Sequence, residues 1–131
     1  MADSLVITQT NDRVLILHLQ GHLTAHTAEI FNEHARLARE SGARFVLIDL
    51  SGVGMITSAG LLALHNCFMS FTPHEEIERW QHDHPRDLFK SPYVKLAGAS
   101  PDVYYVLNLA GFIHNIPIYA NLQDAIDSFD T

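Results

Sequence analysis

Cys67 is the only cysteine in this chain of 131 residues, so no internal disulfide can form, and a reducing cytoplasm is the expected setting. Cations are also scarce. Eight Lys and Arg stand against fifteen Asp and Glu, a formal charge of −7 that argues against nucleic acid, whose phosphates need clustered Lys and Arg. No apolar run reaches the roughly 18 residues a spanning helix requires. The opening Met1-Ala2-Asp3-Ser4 lacks the basic and apolar regions of a signal peptide. Catalytic and metal signatures are missing too: there is no His-Glu-x-x-His, no Cys-x-x-Cys, and no lysine-bearing phosphate loop around Gly52-Val53-Gly54. Cys67 lies inside an apolar helical run, where a thiol is normally inert. A non-enzymatic protein without cofactor or metal is the expectation.

What the chain does have is apolar content, at 47 %, enough for a core in one domain spanning residues 1–131. Residues 5–8 and 13–20 read as strands joined by the turn chemistry of Thr10-Asn11-Asp12, an opening antiparallel hairpin. From Thr27 the period turns helical, with Ile30, His34, Leu37 and Ser41 on one stripe, Phe31 and Ala38 beside it, and Gly42 as its stop. Residues 45–50 form an interior strand, 60–69 an apolar helix, and 93–97 a further strand. Ser100-Pro101 opens a helix carrying Val103, Val106, Leu107 and Ala110, residues 116–119 make a short edge strand, and Leu122, Ala125, Ile126 and Phe129 share a last helical face. Strands alternating with helices after a hairpin describe an α/β domain with a mixed sheet and about four helices.

The most informative stretch is Val46-Leu47-Ile48-Asp49-Leu50-Ser51-Gly52-Val53-Gly54-Met55-Ile56-Thr57-Ser58-Ala59-Gly60-Leu61. It reads as strand, glycine-bearing loop and helix start. The first N–H groups of a helix lack internal partners and carry partial positive charge, so Thr57 or Ser58 is suited to cap them. Such a corner serves as a bland hydroxyl cap, an anion or phosphorylation site, or a polar surface for another protein.

This stretch resembles the signature of STAS domains, the anti-sigma factor antagonist fold: Asp49-Leu50-Ser51-Gly52-Val53 fits its first half and Gly60-Leu61 its end. Residues 14–24 look like the family's second strand with its Gly-x-Leu-Asp turn, residues 94–112 like its last strand-to-helix unit, and 116–126 like its ending. Residues 71–92 stand outside the resemblance as an insertion. The resemblance implies a STAS-like fold and a protein-binding role. It also implies that regulatory phosphorylation would fall on the position of Ala59, which has no hydroxyl; Thr57 replaces the acidic residue before it, and Thr24 the turn's Asp. Ser58 and Thr57 are the neighbouring hydroxyls.

The expected docking surface joins Gly21, His22, Leu23 and Thr24 to Gly52, Gly54, Met55 and Ile56 and to Thr57, Ser58, Ala59, Gly60 and Leu61. Its implied partner is an anti-sigma factor of the ATP-binding, kinase-fold type. The alternatives are an accessory role with a membrane lipid-transport ATPase, or a sensor holding a small ligand beneath residues 71–92. In that insertion Thr72-Pro73-His74-Glu75 reads as a helix start, followed by a short helix burying Ile77 and Trp80. Phe71, Ile77, Trp80 and Phe89 either tuck it onto the domain or form a patch for a second partner or a homodimer. The nine histidines read as surface groups, with His34 and His65 half-buried on helices.

Overall fold

The apolar runs that open β2 (Val14–Leu23) and β3 (Phe45–Ile56) suit strands covered on both faces, and these two lie inside a five-stranded sheet. The computed structural model of the chain describes residues 4–11, 14–111 and 115–129. β2, β3, β4 (Val94–Ala97) and β5 (Ile118–Tyr119) run parallel, and β1 (Ser4–Asn11) pairs antiparallel along the outer edge of β2. The order is β1-β2-β3-β4-β5. Of the turn anticipated at residues 10–12, Thr10 and Asn11 belong to β1 and residue 12 lies outside the described residues.

Three helices cover one face. Phe31, Ala35 and Ala38 of α1 (Ala25–Glu40), Ala63, Leu64, Cys67 and Phe68 of α2 (Ser58–Phe71), and Val103 and Leu107 of α4 (Pro101–Ala110) close over Leu17, Leu19, Val46, Ile48, Leu50 and Leu96. The other face carries a smaller core of Val14, Ile16, Leu47 and Ala97 beneath Ala125 and Phe129, from α5 (Leu122–Asp127) and the residues after it. Lys95 fastens that corner: its ammonium donates to the Ser128 carbonyl at 3.0 Å and hydroxyl at 2.9 Å, and lies 4.3 Å from the Phe129 ring centre. A buried cation is tolerated there because its donors are occupied.

Three readings of the sequence need correction. The α1 stripe is rotated: Ile30 is 38 % and Leu37 50 % exposed, while Ala28, Phe31, Ala35 and Ala38 are buried. Small alanines around one phenylalanine make the inner face, so residue size misled. His65 is exposed on α2. Thr72 does not cap the helix that follows; α3 (His74–Asp83) starts after Pro73 without a side-chain cap. The Thr72 hydroxyl instead pairs with that of buried Ser91 at 3.3 Å, and Ser91 Oγ accepts the Tyr93 and Val94 N–H groups at 3.1 Å each.

Residues 71–92 are tucked onto the domain at the end where the parallel strands begin. Phe71 and Phe89 are buried, and Ile77 and Trp80 pack against the main core. Trp80 sits edge-on to Phe89 at 5.7 Å and stacks on His84 at 4.2 Å. The Tyr93 hydroxyl, just before β4, donates to the Glu76 carboxylate at 2.8 Å, and Asn115 donates to the Phe89 carbonyl at 2.8 Å.

Candidate functional site

The loop expected after Leu50 is strand. β3 continues to Ile56, and Gly21, His22 and Leu23, read as a turn, are the last residues of β2 paired with it. The register runs His18↔Asp49, then Gln20↔Gly52, Gly21↔Val53, then His22↔Met55 and Leu23↔Ile56. β3 therefore carries an extra residue at each of two irregular steps, and extra residues of this kind bend a strand and increase its twist. Gly52 allows the first. A β-carbon there would lie 2.9 Å from the Leu19 carbonyl oxygen and 2.9 Å from Gln20 Cγ. Glycines that signal a loop in sequence thus serve close strand pairing.

At the end of this ribbon α2 begins. Thr57 is its N-cap: Oγ1 accepts the Gly60 N–H at 3.4 Å. The Thr57 N–H and Oγ1 both donate to the Leu23 carbonyl, at 3.0 and 3.3 Å. Gly60 is buried against the same carbonyl, where an added β-carbon would stand 2.5 Å from Leu23 O and 3.1 Å from Ile56 Cγ2. The helix start is thereby locked to the end of β2. The α1 start is tied to the same place: buried Thr27 Oγ1 accepts the Thr24 N–H at 2.8 Å and donates to the His22 carbonyl at 2.7 Å.

The expected surface is therefore brought together, but its members divide. Leu23, Ile56 and Gly60 are buried and hold the corner's shape, as does Val53 beside them. His22, Gly52, Gly54, Met55 and Ser58 face solvent, with Met55 46 % exposed, and Gly21, Thr24, Thr57, Ala59 and Leu61 are half-buried. Leu62, one residue beyond, is 58 % exposed and extends the apolar edge. No charged side chain occurs anywhere in α2. The corner offers hydroxyl and apolar groups and a helix N-terminus, and no acid, base and nucleophile in catalytic order.

A group that sequence reading missed lies behind the corner. His18 and Asp49 are 31 residues apart, yet adjacent in register, with His18 Nδ1 2.7 Å from Asp49 Oδ2. Asp49 Oδ1 accepts the Ser51 N–H at 3.0 Å. Burial works to raise the Asp49 carboxyl, but the Ser51 amide and His18 bonds outweigh it and hold the group below the usual carboxylate range. An ionised carboxylate only accepts, so Nδ1 carries the donated proton. Only the strand register signals this pair. Cys67 is buried, and burial pushes its thiol up to about 12. Among the described residues no group of three His, Cys, Asp or Glu could hold a metal ion, and no helix is long and apolar enough to cross a membrane. A cleft of about 370 Å³ lined by Ala99, Pro101, Tyr104, Ile118, Tyr119 and Ala120 lies between α4 and β5, away from residues 71–92.

The sequence pattern that defines the STAS domain matches residues 6–74, which run from within β1 through α2 and include the whole corner. The chain belongs to the STAS domain family. Solved structures extend the likeness of fold beyond the sequence match. An anti-sigma factor antagonist from Mycobacterium paratuberculosis superposes with a TM-score of 0.78 at 17 % identity, covering 98 % of this chain and 95 % of that one. An anti-sigma-factor antagonist (STAS) domain protein from Planctomyces limnophilus gives 0.66 at 18 % identity, with 95 % and 96 % covered. A sulfate transporter family protein from Wolinella succinogenes gives 0.62 at 17 % identity, with 91 % and 86 % covered. No curated protein matches the sequence. STAS architecture thus accounts for the chain beyond residue 74, where the sequence match ends. Anti-sigma factor antagonists and a transporter family protein both share this fold, and the STAS family is typically one of interaction modules without enzymatic activity.

Proposed function

We propose that this STAS domain is a non-catalytic docking module that binds a regulatory protein through the corner formed by the ends of β2 and β3 and the start of α2. The observation carrying this reading is the corner itself. Thr57 and Gly60 lock it in place, while His22, Met55, Ser58 and Leu62 stand exposed around it without a charged neighbour on α2. Preorganised exposed apolar area ringed by hydroxyls suits protein recognition, because little ordering entropy remains to be lost on binding. The partner class is an anti-sigma factor of the ATP-binding kinase fold, in keeping with the anti-sigma factor antagonists that share the architecture.

Binding is constitutive on this reading. Ala59 occupies the position that the family resemblance assigns to the phosphorylated hydroxyl, and a methyl group accepts no phosphate. Residues 71–92 leave the corner open, since they anchor at Tyr93 and Phe89, near where β3 starts. The twelve residues of β3 separate the two ends by roughly 35 Å. Cytoplasmic placement and the absence of a catalytic role belong to the same proposal.

The test is affinity capture from a lysate of the source organism with wild type beside Ser58→Arg, which adds a long cation to the exposed rim without touching the core. A kinase-fold protein retained by wild type and lost by the variant is the expected result. A transport ATPase lost in the same way would assign the accessory role in a transport complex instead. Capture unaffected by the variant would remove the corner from the account.

A further inference from the structure

We propose that the His18–Asp49 pair is the positioning element of the docking corner, fixing how β2 and β3 pair as they enter their irregular stretch so that the ribbon beyond points at its partner. The pair stands at the last regular step before the two irregular ones. His18↔Asp49 is followed immediately by the shift to Gln20↔Gly52, and the strands reach the corner only after a second shift at Gly21/His22. Extra residues disrupt the ladder locally, and glycine-bearing strand such as residues 52–54 specifies register weakly. A side-chain bond directly across the step fixes it.

Asp49 makes two such bonds and sits beside a third strand. Its Oδ2 takes the His18 Nδ1 proton from β2, and its Oδ1 takes the Ser51 N–H, holding β3's own backbone as it enters the first irregular step. On the far side Asp49 pairs in register with Ala97, the last residue of β4. Gly98, next along, packs so closely that a β-carbon there would lie 3.3 Å from Asp49 Oδ1 and 3.1 Å from Ser51 Cβ. One carboxylate thus bonds across the β2–β3 pairing and into the first irregular step of β3, beside the end of β4. Hydrogen bonds to an ionised group are about twice as strong as neutral ones, and stronger still at a buried position. Neither residue is part of the exposed corner: Asp49 is 8 % exposed, and the His18 side chain 20 %. They act through the strands they join.

The proposal gives the docking reading its internal support and rests on it for its functional meaning. Its test needs no partner, so either can fail without the other. Native-state amide exchange is measured residue by residue in wild type, His18→Leu and His18→Asn, whose side-chain amide places an N–H donor near the position of Nδ1. In His18→Leu the Met55 and Thr57 amides are expected to exchange about tenfold faster or more, the size of a lost charge-assisted bond. Val46, bonded to Tyr93, and Ser91, bonded to Asn115, report the opposite end and are expected to stay within about twofold. His18→Asn is expected to restore most of the protection at the corner. Should His18→Leu not fold, Asp49→Asn is to show the same pattern. Equal acceleration at both ends, no acceleration at the corner, or no recovery in His18→Asn would each overturn the proposal.

Discussion

Replacing Gly60 with alanine is expected to destabilise this domain, although alanine is the better helix former by about 1 kcal/mol in an unhindered helix. Gly60 is buried at the third residue of α2, and the new methyl would stand 2.5 Å from the Leu23 carbonyl oxygen, 2.9 Å from Leu23 Cγ and 3.1 Å from Ile56 Cγ2. Backbone cannot rotate away as a side-chain tip can, so the helix start must retreat from β2. That retreat stretches the two bonds from Thr57 to the same carbonyl, at 3.0 and 3.3 Å. Overpacking costs about 1–3 kcal/mol, and weakening the backbone and hydroxyl bonds of Thr57 about 1 kcal/mol each. Against the helix-propensity gain, the net loss is about 2–4 kcal/mol, or a fall in Tm of about 8–16 °C for a domain of this size. Thermal unfolding followed by circular dichroism reads this directly. An unchanged or raised Tm would refute the packing argument, because it would mean that α2 does not press on β2 as closely as its cap bonds require.

Thr57→Ala removes the N-cap and one donor to Leu23, and is expected to cost about 1–2 kcal/mol in urea unfolding with an unchanged m-value. The Asp49 carboxyl is held below its ordinary value of about 3.9, so its contribution to stability is complete above that value and lost as pH falls through the folded-state pKa. Stability measured from pH 6 down to pH 2 is expected to drop less in Asp49→Asn than in wild type over that window. The Cys67 thiol, buried and pushed up to about 12, is expected to resist a thiol reagent at pH 8 in the native protein and to react at once in denaturant.

The fold was legible where local chemistry and tertiary packing agree. Ser100 caps α4 through the Val103 N–H and Pro101 follows it, as the Ser-Pro spelling foretold, and Ala125 and Phe129 bury the face that helical spacing assigned to them. Thr57 was readable as a cap because a hydroxyl before an apolar helix has few other uses. Legibility failed where long-range pairing overrode local signals. Gly52 and Gly54 spell a loop, yet β2 extends beside them and they become irregular strand; at Gly52 the missing side chain admits Leu19 and Gln20. Ile30 and Leu37 outrank Ala35 and Ala38 in hydrophobicity, yet the smaller residues face inward, because helix-to-sheet distance is set by what fits. The corner's two segments, residues 21–24 and 52–61, each carry a local pattern and so could be read. Its support came from His18 and Asp49, 31 positions apart, which no single-segment pattern joins.

The most direct test of docking through the corner is the dissociation constant of the captured partner, measured by calorimetry against wild type, Ser58→Arg at the corner and Glu78→Arg on α3. Both substitutions introduce the same side chain at exposed positions, one on each end of the molecule. A central clash or unpaired charge in an interface costs several kcal/mol, so Ser58→Arg is predicted to weaken binding by about a hundredfold or more. Glu78→Arg is predicted to leave it within about threefold, the range of a remote surface change. Weakening by Glu78→Arg with Ser58→Arg unaffected would contradict the account and move the interface to residues 71–92.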